Sequence, residues 1–185
     1  MTRLTQWMRR TRRNYTRDDS GATAVEFALI VGPFFALLFA VLESTMIFFA
    51  TATLDNGVME VSRMIKTGQA QQQEISADAF RIELCARISA LLDCDRVVVD
   101  VQVFENMGGI DFGSAIDEEG NFAINEGFDA GSAGDIVLVR AFYSWKVFTP
   151  GVSFTMANMN NGTERLIISS TAFRNEPFGS ILGGI

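Results

Sequence analysis

The chain has 185 residues, a formal net charge of -7, and a composition that is 48% hydrophobic and 20% charged. This is typical of one folded domain, or of a small domain with an anchor, and not of a disordered or fibrous chain. The chain has no histidine and two cysteines, so the commonest general base is missing and a four-cysteine metal site is excluded. The negative balance argues against nucleic acid as a partner, because nucleic-acid binding relies on cations at the phosphates.

The charge is divided unevenly along the chain. Residues 1–20 contain six arginines and two acids, a net of +4, whereas residues 22–185 contain 9 Lys and Arg and 20 acids, a net of -11. From residue 27 to residue 54, Glu43 is the single charged residue. A helix over this run would reach about 42 Å, which exceeds the roughly 30 Å hydrocarbon core of a bilayer.

This pattern predicts a basic leader over residues 1–21 and a transmembrane helix over residues 22–52. Because the arginines precede the apolar run, the N-terminus is expected in the cytoplasm and the chain from about residue 50 onward outside it. A buried helix of a soluble protein would usually show a polar stripe. A secretory signal peptide ending at Ala50–Ala52 is the other alternative, but its apolar region would be only about 7–15 residues long. Glu43 would lie near the outer interface or be protonated in the apolar layer.

Small residues recur four apart in the apolar run, at Gly32, Ala36 and Ala40. On a helix they share one smooth face, which a neighbouring helix can approach closely. Pro33 removes one backbone donor within the same segment and predicts a local disturbance of the helix. The three small residues are therefore candidate helix-packing positions.

The boundary between leader and apolar run has a distinctive order of residues. The leader ends at Gly21, four uncharged residues follow, and Glu26 then precedes the apolar run at Phe27. This order resembles the type IV prepilin signal, in which a membrane peptidase cuts after the glycine. The resemblance implies cleavage between Gly21 and Ala22, which would leave a mature chain of residues 22–185.

The N-terminal stretch is more specific than a general pilin signal. Residues 21–31, followed by Pro33 and Glu43, resemble the start of TadE-like proteins, the minor pilins or pseudopilins of the tight adherence (Tad) pilus system. Residues 63–70 and 172–178 are similar to later segments of that family. The resemblance implies that Glu26 of one subunit pairs with the amino terminus of a neighbour and sets the register of assembly. The alternative is an acid that only favours the start of a helix.

Beyond the membrane helix, the pattern predicts an extracytoplasmic domain over residues 53–185. The first helix continues to Gly68, a Gln-rich linker follows over residues 69–73, and Ser76 can cap a second helix. Strand-like runs at residues 96–104, 135–148 and 165–173 complete an α+β, pilin-like fold with three antiparallel strands. The apolar stripes of the two helices are Leu54, Val58, Val61 and Ile65, and Phe80, Leu84, Ile88 and Leu91.

Two local features of this domain carry separate expectations. Cys85 and Cys94 are close in sequence and lie outside the cytoplasm in the predicted topology, which favours a disulfide over two inert thiols. Residues 106–134 contain seven glycines and six acids with no Lys or Arg. This acidic loop could be solvated, bind calcium or meet a partner. We expect a solvated loop, because the EF-hand spacing is not present.

These features together favour a structural role over catalysis. The sequence contains no phosphate-binding loop and no serine nucleophile motif, so we expect no enzymatic activity, catalytic residue, metal or cofactor. The resemblance implies a subunit of a Tad-type pilus that acts in pilus assembly and surface adherence. Its partners would be the bacterial inner membrane, a prepilin peptidase and other Tad pilins. The alternative is an uncleaved, single-pass periplasmic module for binding or sensing.

Overall fold

A computed structural model of the chain describes residues 21–110, 113–124, 126–149, 156–159 and 162–179. The predicted leader lies outside the described residues, apart from Gly21. By its internal contacts the chain divides into two units, Met1–Leu42 and Glu43–Ile185.

Helix α1 runs from Ala22 to Lys66 and confirms the predicted long N-terminal helix. None of the side chains of residues 22–42 is buried. Among the described residues, α1 is the one helix long and apolar enough to cross a membrane, with a mean hydropathy of 2.4 in its most apolar window. Because residues 27–42 carry no charge and are mostly apolar on every side, they lack the polar stripe of a helix that borders water.

In the second unit, α1 has one buried face. The buried apolar residues recur every three or four positions, which places them on one side of the helix. The helix stops before Gly68, whose φ of 80° is a conformation that glycine adopts without strain. The expected Gln-rich linker contains one helical turn, α2, over Gln69–Gln72. The buried stripe consists of Ile47, Ala50, Leu54, Val58, Val61 and Ile65.

Helix α3 spans Ala77–Ile88 and begins as predicted, because the Ser76 hydroxyl accepts a hydrogen bond of 3.2 Å from the Ala79 amide. Phe80, Leu84 and Ile88 are buried, which confirms most of the predicted stripe. Beyond the helix Leu92 is buried, whereas Leu91 is only half-buried. The two long helices approach closely at Gly57, where a Cβ would lie 2.6 Å from Cγ2 of Ile88.

Three antiparallel strands form one sheet in the order β1-β2-β3: β1 is Val97–Phe104, β2 is Ile136–Lys146 and β3 is Glu164–Arg174. They confirm the predicted strands to within two residues at each end. One face of the sheet packs with α1 and α3 in a single core that includes Val101, Val139 and Ile167. The α+β fold class is therefore confirmed.

The acidic loop does not behave as the expected solvated loop in all its described parts. Ala115 is buried on the second face of the sheet, where Phe122 packs at a ring distance of 5.3 Å from Phe142. Another part of the loop follows the outer edge of β1, where Val101 donates to the carbonyl of Gly127 at 2.8 Å. The loop packs on the second face of the sheet because this face is also apolar, and burying it removes it from water. The loop's acids Glu118, Glu119, Glu126 and Asp129 are exposed.

Candidate membrane-anchoring and assembly site

The predicted processing site lies where α1 begins. Ala22 is the first residue of the helix, and Gly21 precedes it with an exposed backbone. A Cβ built on Gly21 would meet no atom within 4 Å. The peptide bond between these residues is therefore open to approach, and cleavage there stays a prediction.

Glu26 lies one turn into α1 and is exposed. Its neighbours Val25 and Phe27 are apolar and also exposed, at 60% and 67%. A carboxylate among exposed apolar side chains would be costly within a membrane unless a partner compensates its charge. The position suits a contact with another chain, which stays a prediction.

The three small residues lie on the apolar half of α1. Gly32 and Ala36 are exposed and Ala40 is half-buried. A Cβ on Gly32 would meet nothing within 4 Å, so the chain itself leaves space at this position. Their spacing of four residues on a continuous helix places them on one face, as the packing hypothesis requires.

Glu43 has a role that the sequence did not suggest. The side chain is buried, with 7% exposure, and accepts three hydrogen bonds from residues that the structure describes. The indole N–H of Trp145 donates to Oε1 at 3.1 Å, and both the amide of Phe148 and the hydroxyl of Thr149 donate to Oε2, at 3.2 and 3.1 Å. These donors compensate the loss of hydration of the carboxylate.

The Glu43 site fastens α1 to the end of β2 within the second unit. Trp145 is the penultimate residue of β2, and Phe148 and Thr149 follow the strand. These described partners form a hydrogen-bonded pocket for Glu43 inside the domain. That this pocket lies near the outer interface of the membrane, as expected, stays a prediction. The only signal in the sequence was one acid in a long apolar run, because its partners are 102 to 106 positions away.

The predicted disulfide is confirmed. Cys85 of α3 is bonded to Cys94, and their Cα atoms are 5.7 Å apart. Cys94 begins a short turn that leads directly into β1. The bond therefore ties the second long helix to the start of the sheet.

A buried ion pair lies on the second face of the sheet, and the sequence reasoning missed it. Asp100 is fully buried, and its Oδ2 accepts from Nε and Nη2 of Arg140 at 3.0 and 2.7 Å. The side-chain amide of Gln102 donates to both carboxylate oxygens at 3.1 Å. Arg140 also lies over the ring of Phe142, 5.6 Å from its centroid. The sequence does show one Asp and one Arg within two apolar strands, and this could have indicated a buried ion pair.

The described parts of the chain offer little for a bound group. They contain no set of three or more Cys, Asp or Glu side chains placed to hold a metal ion. A cavity of about 120 Å³ beside Phe142 and Leu166 is mainly apolar. A second cavity, of about 300 Å³, lies between α1 and the start of β3, and is lined by Ser44, Phe48 and Arg165 among others.

The comparison with protein families agrees with the resemblance seen in the sequence. Residues 21–63 match the family model described as TadE-like protein. The match begins at the glycine of the predicted cleavage site and ends in the last turn of α1, so it does not include the sheet. No curated protein and no solved structure gave a match.

Proposed function

We propose that this chain, which has a TadE-like N-terminal segment, is a structural or assembly subunit, a minor pilin or pseudopilin, of a Tad-type pilus. The main support for the proposal is that three features occur together at the start of the described chain. The family match begins at Gly21, α1 begins at Ala22, and the exposed apolar run follows within the first two turns of the helix, from Phe27 onward. A processing signal joined to a lipid-compatible helix is what a pilin-like subunit needs.

The anchoring follows from the charges and the exposure of α1. The arginines of the leader remain in the cytoplasm, α1 crosses the inner membrane once, and the domain lies outside. The Cys85–Cys94 disulfide supports this side, because such bonds persist in oxidising compartments. We place the span at residues 22–42 and not 22–52, because burial in the domain begins at Glu43. A helix of that length is about 31 Å long, close to the thickness of the hydrocarbon core.

The proposed mechanism of assembly uses the N-terminal half of α1. A prepilin peptidase cuts after Gly21 and creates an α-ammonium group on Ala22. An unpaired charge in an apolar layer is costly, so Glu26 of one subunit pairs with the ammonium of its neighbour and sets their register. The face of Gly32, Ala36 and Ala40 lets the two helices come close enough for this pairing.

The charge-pair role is tested with Glu26→Leu in cells that lack the wild-type copy. The variant should insert and be cleaved, because the change lowers the cost of placing α1 in lipid. It should fail to co-purify with other pilins or to support pili. Glu26→Asp keeps the charge with a shorter reach and should retain partial function. Phe27→Leu, an exposed apolar exchange at the next residue, is the matched control and should behave as wild type.

Two results would contradict the proposal in different ways. Normal piliation with Glu26→Leu would show that the charge pair is not needed, and Glu26 would then only favour the start of the helix. A wild-type chain that keeps its leader and never associates with other pilins would point to the alternative, an uncleaved membrane-anchored module for binding or sensing.

A further inference from the structure

The end of the domain around Glu43 has large apolar side chains on its surface. The side chain of Phe148 is 73% exposed, although the backbone amide of the same residue donates to the buried Glu43. On α1, Met46, Phe48 and Phe49 are exposed within two turns of Glu43. A single exposed apolar residue is ordinary in a soluble domain. Here, four exposed apolar side chains belong to the two segments that meet at Glu43. Such a group favours an apolar or interfacial environment over water.

Phe148 is held in its exposed position by specific contacts. Its amide donates to Glu43, and its ring lies edge-on to the indole of Trp145, 6.4 Å between centroids. The indole in turn donates to the other oxygen of the same carboxylate. Glu43 therefore positions both aromatic residues. Holding an exposed ring in one position does not by itself stabilise the protein in water. At a lipid surface the same ring would bury apolar area, and little further conformational entropy would be lost because the ring is already ordered.

The same end of the sheet carries two cations, and the acid Glu164, which is the cross-strand partner of Lys146. Arg165 is the cross-strand partner of Trp145, and Lys146 is the exposed last residue of β2. Arg165 also lines the cavity of about 300 Å³ together with Phe48. Tryptophan and basic residues are the side chains that favour the headgroup layer of a membrane, since this layer is polar on one side, apolar on the other, and rich in phosphate.

The position of Glu43 in the chain agrees with this environment. It directly follows residues 22–42, whose length as a helix matches the hydrocarbon core. We infer that the end of the domain formed by Glu43, Trp145 and Phe148 lies in the headgroup layer on the extracytoplasmic side of the inner membrane. Phe148 contacts the lipid there, and Glu43 acts as the positioning residue. The inference rests on the proposed membrane anchoring and adds a second lipid contact, made by the domain itself.

Tryptophan fluorescence provides a direct test. The chain has two tryptophans, Trp7 and Trp145, so in the full chain with Trp7→Phe the emission comes from Trp145 alone. The chain is placed in phosphatidylcholine nanodiscs whose acyl chains carry bromine either close to the headgroup or close to the chain end. We expect about a two-fold loss of emission with bromine near the headgroup and a smaller loss with bromine near the chain end.

Two further variants, both with Trp7→Phe, make the test specific. In the first, Trp145→Phe and Ile82→Trp move the reporter to α3, where Ile82 is 66% exposed. This reporter should keep its emission with either lipid. In the second, Phe148→Ser removes the exposed ring but keeps the amide that Glu43 binds. It should leave the unfolding midpoint unchanged and reduce the quenching of Trp145 by about half.

The possible failures are distinguishable. If Trp145 in an incorporated chain is quenched no more than the reporter at Ile82, the lipid contact is wrong while the anchoring stands. If Trp145 becomes shielded only after other pilins are added, the surface binds protein and the inference is equally wrong. A chain that does not enter nanodiscs at all would contradict the proposed anchoring, and with it this inference.

Discussion

At the scale of single residues, the Glu43 site joins the part of α1 inside the domain to the end of β2. Both carboxylate oxygens are used: Trp145 donates to one, and Phe148 and Thr149 donate to the other. A glutamine at this position has one acceptor oxygen, so its amide group would face a buried N–H. The site therefore depends on a carboxylate and not only on a polar side chain of this size.

We expect Glu43→Gln to lower the free energy of unfolding of the domain by about 1–3 kcal/mol, the cost of a buried donor without a partner. Urea unfolding of the detergent-solubilised chain measures the change. Glu118→Gln, an identical exchange at an exposed position of the acidic loop, is the control and should stay within about 0.5 kcal/mol of wild type. Equal stability of the Glu43→Gln chain and wild type would mean that the three hydrogen bonds contribute little.

Residues with local partners could be predicted from the sequence, and residues with distant partners could not. The Ser76 cap and the stop at Gly68 depend on neighbours within a few positions, so the pattern alone revealed them. Asp100 and Glu43 bind residues on other elements, 40 and more than 100 positions away. Contacts between residues so far apart cannot be predicted from the periodicity of one sequence.

At the scale of elements, α1 combines two patterns in one helix. In residues 22–42 no side chain is buried and the surface is apolar apart from Glu26 and Thr23, whereas residues 43–66 bury one stripe. The predicted membrane span extends to residue 52, because Glu43 is the one charged residue from Phe27 to Leu54, and the proposed end at residue 42 stays a prediction. Ile47 and Ala50 are apolar in either environment, so hydropathy alone cannot distinguish a lipid contact from a core contact.

The two α1 glycines should respond differently to the same substitution. Gly57→Val places a Cβ against Ile88 and should destabilise the domain by about 1–3 kcal/mol through overpacking between α1 and α3. Gly32→Val meets no atom of the chain and should leave the domain stability unchanged, but it should reduce co-purification with other pilins if the small-residue face packs on a neighbour. Urea unfolding and affinity co-purification measure the two effects. Equal stability of both variants would contradict the close packing at Gly57.

At the scale of the whole molecule, the α+β architecture followed from alternation in β1, apolar and aromatic runs in β2 and β3, and three-to-four periodicity in the helices. The path of the acidic loop did not. Its apolar residues, among them Ala115 and Phe122, have no regular spacing and cover the second face of the sheet. Glycines and acids dominate the composition of this loop, and composition predicts solvation for the acids only.

The central claim is that the chain is a processed, membrane-anchored pilin-like subunit, and the intact mass of the protein tests it most directly. The chain is extracted from membranes of cells that contain the peptidase and is measured without reduction. The account predicts a mass equal to residues 22–185 with one disulfide. Gly21→Val should retain the leader, because a β-branched side chain obstructs access to the backbone. A wild-type mass that still includes residues 1–21 would contradict the account.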